Sequence, residues 1–256
     1  MNNAWQAGDF SRIAPSAVIV GELICDQIPI YAGQTVLDIG CGSGNTALAA
    51  ARRRAVVSAI DPVPMLLEQA RLRAEVERLE IEWKQGGAEA LPFADQSFDI
   101  ALSSFGMIFS TQTEESAAEA ARVLNASGTL VLTSWESEGQ TDRLFAICEE
   151  AIGNDRMLQT ARSWGRQEDA RVWLAPHFST IHVVRRDFLV RAMDAQRWLA
   201  GMKMFLAPVV LAYEKLTVDE AEQMDARMLG LVKDLAPAPN GTLFTRVPYL
   251  EYYCSK

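Results

Sequence analysis

The chain has 256 residues, of which 49% are hydrophobic and 22% charged, and no stretch reaches the roughly 18 uninterrupted apolar residues of a membrane span. Its 24 basic and 33 acidic residues give a formal net charge of −9, which opposes the binding of a polyanion. These values exclude a membrane-spanning protein and argue against a nucleic-acid partner.

The N-terminal residues lack the basic start and the apolar run of a secretory signal, so we expect a cytoplasmic location. The dense basic run Arg52–Arg54 falls where a helix is predicted to end, which favours a structural role over a nucleic-acid contact. The cysteines are scattered without a Cys-x-x-Cys pair, which predicts reduced, buried thiols and no metal site: Cys25, Cys41, Cys148 and Cys254.

The first half alternates short β-branched runs with helical patterns, which predicts a parallel sheet covered by helices. The predicted strands are Thr35–Asp38, Val56–Asp61, Ile81–Lys84, Phe98–Ser103 and Thr129–Trp135. The predicted helices are Asn45–Arg53, Pro64–Leu79 and Thr113–Leu124. Asn125–Gly128 is predicted to turn from the third helix into the next strand, with Gly128 in a left-handed conformation.

The periodicity weakens after Trp135, and we expect an exposed loop at Glu136–Gln140. Further helices are predicted at about Asp142–Leu174, Ala195–Leu211 and Val218–Leu235, with strands at Thr180–Val190 and Leu243–Tyr253 and a rigid turn at Pro237–Gly241. No repeat or long linker divides the chain. We therefore expect one domain, in which residues 1–34 form a helical cap, 35–135 the core, and 136–256 helical insertions and closing strands.

The strongest chemical signal is a glycine-rich turn between a strand and a helix. Gly40, Gly42 and Gly44 follow the strand that ends at Asp38, and an alanine-rich helix comes next. Glycines let the backbone approach a ligand closely, and the helix N-terminus presents unpaired N–H groups. Asp61 ends the next strand, where its carboxylate can accept both ribose hydroxyls of an adenosine. These features predict a nucleoside site.

The residues around the turn discriminate among nucleotides. A dinucleotide turn reads G-x-G-x-x-G, whereas Asn45 stands where the third glycine would fall, so a nicotinamide oxidoreductase is the weaker alternative. Asp38 would repel a pyrophosphate but could pair with the ammonium group of a methionine, directly or through water. A P-loop is excluded because no Gly-Lys-Ser/Thr follows.

Several motifs in a fixed order carry a resemblance to a known family. They are Val36–Gly44, Asp61, Gly86–Phe93, Phe98–Ile100, and Arg122–Leu124 with Gly128. Together they resemble class I S-adenosylmethionine-dependent methyltransferases, most of all the branch with the ubiquinone/menaquinone C-methyltransferases and many small-molecule enzymes. The resemblance covers about Thr35–Trp135. It implies a doubly wound, Rossmann-like α/β fold with a seven-stranded, mostly parallel sheet, an antiparallel last strand and helical lid insertions.

The resemblance also implies which residues bind S-adenosylmethionine. The methionine end would be bordered by Asp38, Gly40, Cys41, Gly42 and Gly44. The ribose would meet Asp61, and the adenine would meet Pro62, Met65, Gly87, Ala88 and Glu89. The end of the fourth strand would contribute Ser103, Ser104 and Met107.

Two positions depart from the family pattern. Gly87 stands where members commonly carry an aspartate that accepts a hydrogen bond from the adenine amino group, so adenine recognition must rest on backbone groups, Glu89 or water. Asn125–Gly128 replaces the usual Lys-Pro-Gly-Gly, where only a turn is needed.

The acceptor site is less clearly marked. His177, one of two histidines, is a weak candidate for a general base. An apolar lid over the acceptor is predicted from Trp5, Phe10, Phe105, Trp135 and Phe205, although aromatic residues at helical spacing more often belong to the core.

The leading hypothesis is therefore a methyltransferase that moves a methyl group from S-adenosylmethionine to oxygen, nitrogen or carbon of a small, aromatic or hydrophobic molecule. The alternative is a catalytically silent protein that binds S-adenosylmethionine or S-adenosylhomocysteine and acts as a regulator or partner. Gly87 keeps this alternative open.

Overall fold

A seven-stranded sheet in the order β3-β2-β1-β4-β5-β7-β6 forms the centre of the computed structural model, which describes residues 3–233 and 240–256. The strands are β1 (Thr35–Ile39), β2 (Val56–Asp61), β3 (Ile81–Gln85), β4 (Phe98–Ser104), β5 (Leu124–Trp135), β6 (Thr180–Ala192) and β7 (Leu243–Ser255). The first five strands are parallel, and β7 runs antiparallel to both β5 and β6. The predicted fold class is confirmed, including the antiparallel last strand.

Helices cover both faces of the sheet. They are α1 (Val18–Gln27), α2 (Asn45–Arg52), α3 (Pro64–Glu77), α4 (Thr113–Val123), α5 (Gln140–Ile152), α6 (Arg156–Ser163), α7 (Gln167–Leu174), α8 (Ala195–Phe205), α9 (Ala207–Tyr213) and α10 (Val218–Lys233). One hydrophobic core includes Ile24 and Ala47 from α1 and α2, and another includes Ala120 and Cys148 from α4 and α5. Because helices pack on both faces, residues 36–39 of β1 are all buried, as expected for a central parallel strand.

Residues 125–128 correct one local prediction. They belong to β5 rather than to a turn, and Gly128 is not among the residues with positive φ. Leu124 pairs with Phe98 and Thr129 with Ile100, so the residues between them are accommodated as a bulge in the strand. Glycine is needed at 128 for another reason, because a Cβ there would lie 2.9 Å from Cβ of Leu124.

Two boundaries in the second half also differ from the predictions. The predicted helix Ala195–Leu211 is divided into α8 and α9, because Leu206 is extended and Pro208 occupies the first turn of the new helix. The region predicted as Asp142–Leu174 contains three helices, the first starting already at Gln140. The predicted turn at Pro237–Gly241 lies for the most part outside the described residues.

The basic run at the end of α2 is held by acidic side chains of neighbouring helices. Arg52 pairs with Glu22 and Glu77, at 2.5 Å in each case, and Arg53 pairs with Glu22 and Asp26. These ion pairs give Arg52 and Arg53 a structural role between helices. Within residues 3–233 and 240–256, none of the helices combines the length and apolar character needed to cross a bilayer.

The antiparallel pair β6–β7 extends past the rest of the sheet. The two strands pair from Thr180–Ser255 to Ala192–Leu243, whereas β5 accompanies β7 only as far as the pair Trp135–Tyr249. The remaining part projects as a two-stranded ribbon beyond the carboxyl ends of the parallel strands. It forms a wall above that edge of the sheet, where ligands bind in open α/β folds.

Candidate functional site

The glycine turn connects β1 to α2 in a conformation that glycine adopts easily. Gly40, Gly42 and Gly44 have φ values of 69°, 53° and 87°. A Cβ on Gly40 would lie 2.7 Å from Cα of Gly106, in the loop that follows β4. The two backbones therefore touch, and side chains are excluded from both sides of the contact. Sequence reasoning missed Gly106, because its partner is distant along the chain.

Asp38, which lies in β1 just before the glycine turn, is a buried carboxylate. Its Oδ2 accepts a hydrogen bond from the backbone N–H of Ala47, at 2.8 Å. Its Oδ1 is also buried but has no hydrogen-bond partner among the residues described, and the residue lines a large cavity. Burial raises the pKa of Asp38 to about 7. An unpaired buried carboxylate oxygen, on a residue that lines a cavity, is suited to a cationic ligand group.

Asp61 joins the end of β2 to the glycine turn. Its Oδ2 accepts a hydrogen bond from the N–H of Gly42 at 2.8 Å, and its Oδ1 accepts one from Val63 at 2.9 Å. The residue is 5% exposed, and burial raises its pKa to about 6 although both hydrogen bonds act in the opposite direction. Each oxygen retains a lone pair for a further donor. The carboxylate can therefore hold the turn and, at the same time, accept hydrogen bonds from ligand hydroxyls.

One cavity of about 630 Å³ runs along this edge of the sheet. Most of the residues predicted to bind the cofactor line it: Asp38, Gly40, Cys41, Gly42, Asp61, Pro62, Gly87, Ala88, Glu89, Ser104 and Met107. All five residues predicted for the acceptor pocket line the same cavity: Trp5, Phe10, Phe105, Trp135 and Phe205. The fold thus brings together residues from the N-terminus, the core and the lid.

Three predicted cofactor residues do not line the cavity. A Cβ on Gly44 would lie 3.1 Å from Ala70 and Trp83, so this glycine permits close packing of α2. Met65 is 42% exposed, and its neighbour Leu66 lines the cavity instead. The hydroxyl of Ser103 donates to the carbonyl of Ile39 and accepts from the N–H of Met107, so it ties β4 to the end of β1.

Gly87 leaves space for a neighbouring carboxylate. A Cβ at this position would overlap both carboxylate oxygens of Glu89, whose side chain folds back over the backbone there. The position of the aspartate side chain expected from the family pattern is therefore occupied by the carboxylate of a residue two positions later. The departure at Gly87 leaves an acidic group at this point of the cavity wall.

The part of the cavity lined by Trp5, Phe10, Phe105, Trp135 and Phe205, where the acceptor is predicted and which we call the acceptor half, is built from aromatic contacts between distant segments. The rings of Phe105 and Trp135 stack at 4.0 Å with an interplanar angle of 7°, and Trp5 meets Phe10 edge to face at 5.4 Å. Phe105 has a φ of 55°, which is costly for a side chain with a Cβ and recurs at ligand sites. Its N–H donates to the hydroxyl of Thr133.

The histidines lie away from the cavity. His177 is in the turn after α7, where its N–H donates to the carbonyl of Leu174. This turn precedes the start of β6, whose Thr180 pairs with Ser255 at the amino-terminal edge of β5, opposite to the cavity. Neither His177 nor His182 lines the cavity. A general base at His177 would be too far from any ligand there to take its proton.

A polar network that the sequence did not reveal fixes the start of α2. Arg73 Nη1 donates to the carbonyl of Ser43 at 2.6 Å and to Asn45 Oδ1 at 2.8 Å. Asn45 Nδ2 in turn donates to the carbonyl of Ala14 at 2.7 Å. Asn45, which stands in place of a third glycine, thereby connects the glycine turn to the N-terminal segment over the cavity.

Comparison with known proteins gives a consistent result. Residues 36–128 match a family model described as a methyltransferase domain. An uncharacterized protein of Mycobacterium tuberculosis is 33% identical over 214 residues, which are 82% of this chain and 77% of that protein. A ubiquinone/menaquinone biosynthesis C-methyltransferase of Dinoroseobacter shibae is 36% identical over 134 residues, or 51% of each protein.

Solved structures with the same fold cover nearly the whole chain. The YcgJ protein from Bacillus subtilis has a TM-score of 0.66 at 18% identity, covering 92% of this chain and 97% of its own. A putative methyltransferase from Bacillus halodurans has a TM-score of 0.62 at 18% identity, with coverages of 94% and 99%. At this identity the likeness establishes the shared fold.

Proposed function

We propose that this chain, which belongs to the class I S-adenosylmethionine-dependent methyltransferases, methylates a small aromatic or hydrophobic molecule bound beside the glycine turn. One observation carries the acceptor part of the proposal: a single cavity continues from Asp38 and Asp61 to the aromatic residues of the lid. Donor and acceptor can thus lie next to each other in one cavity, which methyl transfer requires.

The residues around the glycine turn fit S-adenosylmethionine. The unpaired Oδ1 of Asp38 would accept from the ammonium group of the methionine moiety. Asp61 would accept from the ribose hydroxyls while its bonds to Gly42 and Val63 keep it oriented. Pro62 and Leu66 would pack on the adenine. Ala88 and Glu89, which also line the cavity, would lie beside it.

The bound cofactor supplies a methyl group on a positively charged sulfur. The chain contributes alignment and exclusion of water, because aromatic walls and a buried floor enclose the reacting groups. None of the described residues that line the cavity is a histidine. An acceptor that is already nucleophilic, such as an amine or a phenolate, matches a site that works by positioning and desolvation.

The direct test is cofactor binding by Asp61→Ala. We expect affinity for S-adenosylhomocysteine, measured by calorimetry, to fall about 100-fold, since two hydrogen bonds to a charged acceptor are lost and the turn is released. Glu75→Ala is the matched control, because Glu75 is exposed on α3 and does not line the cavity. Unchanged binding by Asp61→Ala would contradict the assigned cofactor site.

The acceptor part is tested by turnover of methyl-labelled cofactor against phenols, amines and quinols. Label transferred to at least one class supports the enzyme. Tight cofactor binding with no transfer to any of them would instead favour the catalytically silent alternative.

A further inference from the structure

The projecting β6–β7 ribbon presents an apolar face to the acceptor half of the cavity. Phe188 pairs with Val247 and Val190 pairs with Thr245, so the four side chains share one face of the ribbon. All four residues line the cavity. Thr245 is the polar member of this set.

The hydroxyl of Thr245 has no structural partner. The residue is 5% exposed, and its Oγ1 makes no hydrogen bond within the described parts of the chain. A buried hydroxyl without a partner destabilises a fold, and valine, with nearly the same shape, would fill the position without that cost. The hydroxyl is explained if a ligand group completes its hydrogen bonding.

The charges that line the cavity differ by sign in the part of the chain from which they come. The acidic residues Asp38, Asp61 and Glu89 belong to the core, whereas the basic residues belong to the N-terminal segment and the lid: Arg12, Arg191 and Arg197. This separation runs against the net charge of −9, which would repel an anion from most of the surface. The lid end is therefore locally suited to an anionic group.

Arg197 is the best placed of these cations. Arg12 lies 3.5 Å from Asp9, and Arg191 lies over the ring of Phe244 at 5.1 Å. Arg197 has neither an ion-pair nor a cation–π partner in the described part of the chain. It shares the cavity-lining stripe of α8 with Phe205, eight residues later.

We infer that the methyl acceptor is an aromatic molecule that carries a carboxylate apart from its methylated atom, with Thr245 Oγ1 donating a hydrogen bond to the carboxylate and Arg197 supplying the opposite charge. This inference rests on the proposed function and names its substrate class. A carboxylate accepts from several donors at once, which matches one hydroxyl and one guanidinium. The aromatic rings of Trp135 and Phe205 match the apolar body of such a molecule.

The experiment compares three probes of one shape by calorimetry on the full chain saturated with S-adenosylhomocysteine. They are 2-naphthoate, 2-naphthylmethanol and 2-naphthylmethylammonium. We expect 2-naphthoate to bind about tenfold or more tightly than the other two, as a charge-assisted hydrogen bond predicts. Equal affinities for the three, or no binding of 2-naphthoate, would overturn the inference.

Two variants assign the recognition to residues. Thr245→Val should weaken 2-naphthoate about tenfold without lowering the thermal unfolding midpoint or the affinity for S-adenosylhomocysteine, and Thr245→Ser should restore binding. Arg197→Gln should remove the preference for 2-naphthoate over the alcohol. Arg156→Gln, which removes the same charge from α6 outside the cavity, should preserve it.

The two proposals fail in different ways. Unchanged 2-naphthoate affinity in Thr245→Val would show that the hydroxyl does not bind the carboxylate, and a lowered unfolding midpoint would show that it serves the fold. Either result would overturn the inference alone. A wild-type chain that does not bind S-adenosylhomocysteine would contradict the proposed function. In that case the three probes are titrated into the cofactor-free chain, where the same order of affinities would support the anion site and equal affinities would overturn it.

Discussion

The two ends of the cavity are built by different means. At the cofactor end, carboxylates bind backbone N–H groups of the same motif, as Asp38 does with Ala47 and Asp61 does with Gly42. At the lid end, side chains from segments far apart in the chain meet through ring contacts, as Phe105 and Trp135 do. The bonds between carboxylates and N–H groups fix the backbone conformation around one ligand. The ring contacts leave ligand specificity to individual side chains, which can be substituted one at a time.

This difference predicts that substitutions at the two ends act on different observables. Changes at the glycine turn should damage folding and cofactor binding together, because the same backbone contacts serve both. Changes in the lid should leave S-adenosylhomocysteine affinity intact.

The largest effect is expected for Gly40→Ala. The residue has a φ of 69°, and the new Cβ would lie 2.7 Å from Cα of Gly106, so backbone must move. We expect a loss of about 2–4 kcal/mol in the free energy of unfolding, measured by urea denaturation. We also expect about 100-fold weaker S-adenosylhomocysteine binding, because the turn that presents its N–H groups is displaced.

Gly230→Ala is the control for this substitution. Gly230 lies in α10, no atom lies within 4 Å of a Cβ built there, and alanine should stabilise the helix by about 0.5–1 kcal/mol. If Gly40→Ala unfolded and bound like the wild type, the backbone contact would not have the role assigned to it.

A smaller effect is expected from pH at the cofactor end. The pKa of Asp38 is raised to about 7 and that of Asp61 to about 6 by burial, and the ammonium group requires the ionised form. Affinity for S-adenosylhomocysteine should therefore fall roughly tenfold or more as the pH drops from about 8 to about 5.5. Affinity should be measured across this range by calorimetry.

The stability of the cofactor-free chain should change in the opposite direction. A carboxyl group with a raised pKa in the folded state stabilises the fold at low pH, and that contribution is lost as the pH rises from the ordinary pKa of 3.8 to the raised values of about 6 and about 7. The thermal midpoint should thus decrease over this range. Asp38→Asn should weaken the pH dependence of both the S-adenosylhomocysteine affinity and the thermal midpoint. If both pH dependences were unchanged in this variant, they would arise from other groups.

The smallest effect is expected for Tyr213→Phe in the lid. The hydroxyl of Tyr213 donates to Asp225, which also binds Lys203 at 2.9 Å, so three lid helices are connected. Loss of one hydrogen bond to a charged group should lower the free energy of unfolding by about 1–2 kcal/mol. S-adenosylhomocysteine affinity should not change, and a change beyond about twofold would contradict the separation between the two ends. Tyr31→Phe, at a residue 66% exposed, is the control.

Much of the core was predictable because its signals are local. The strands from β1 to β4 fall within one or two residues of their predicted bounds. For β1, β2 and β4 the reason is that buried parallel strands are short apolar runs between polar segments. The glycine turn was recognised for the same reason. The division at Pro208 was missed although proline in the first turn of a new helix is itself a local signal. The bulge at residues 125–128 was missed because pairing with β4 decided between turn and strand there.

For the acceptor half, the sequence predicted only which kind of residue lines the cavity. The sequence indicated that aromatic residues form it, and all five named residues line the cavity, yet nothing in the local pattern indicated Thr245 or Arg197. A threonine in a strand and an arginine near the start of a helix are ordinary residues by local pattern. His177 shows the reverse case, since its residue type suggested a base while the topology places it at the opposite edge of the sheet.

The sequence by itself determined the cofactor end, from Asp38 through the glycine turn to Asp61, because backbone conformation and hydrogen bonds between neighbouring segments define it. Only the tertiary structure decided the rest. Three features depend on which distant atoms share a small volume. They are the contact of Gly40 with Gly106, the carboxylate of Glu89 over Gly87, and the unpaired hydroxyl of Thr245. Burial and the absence of a partner are properties of the packed chain, and no local pattern encodes them.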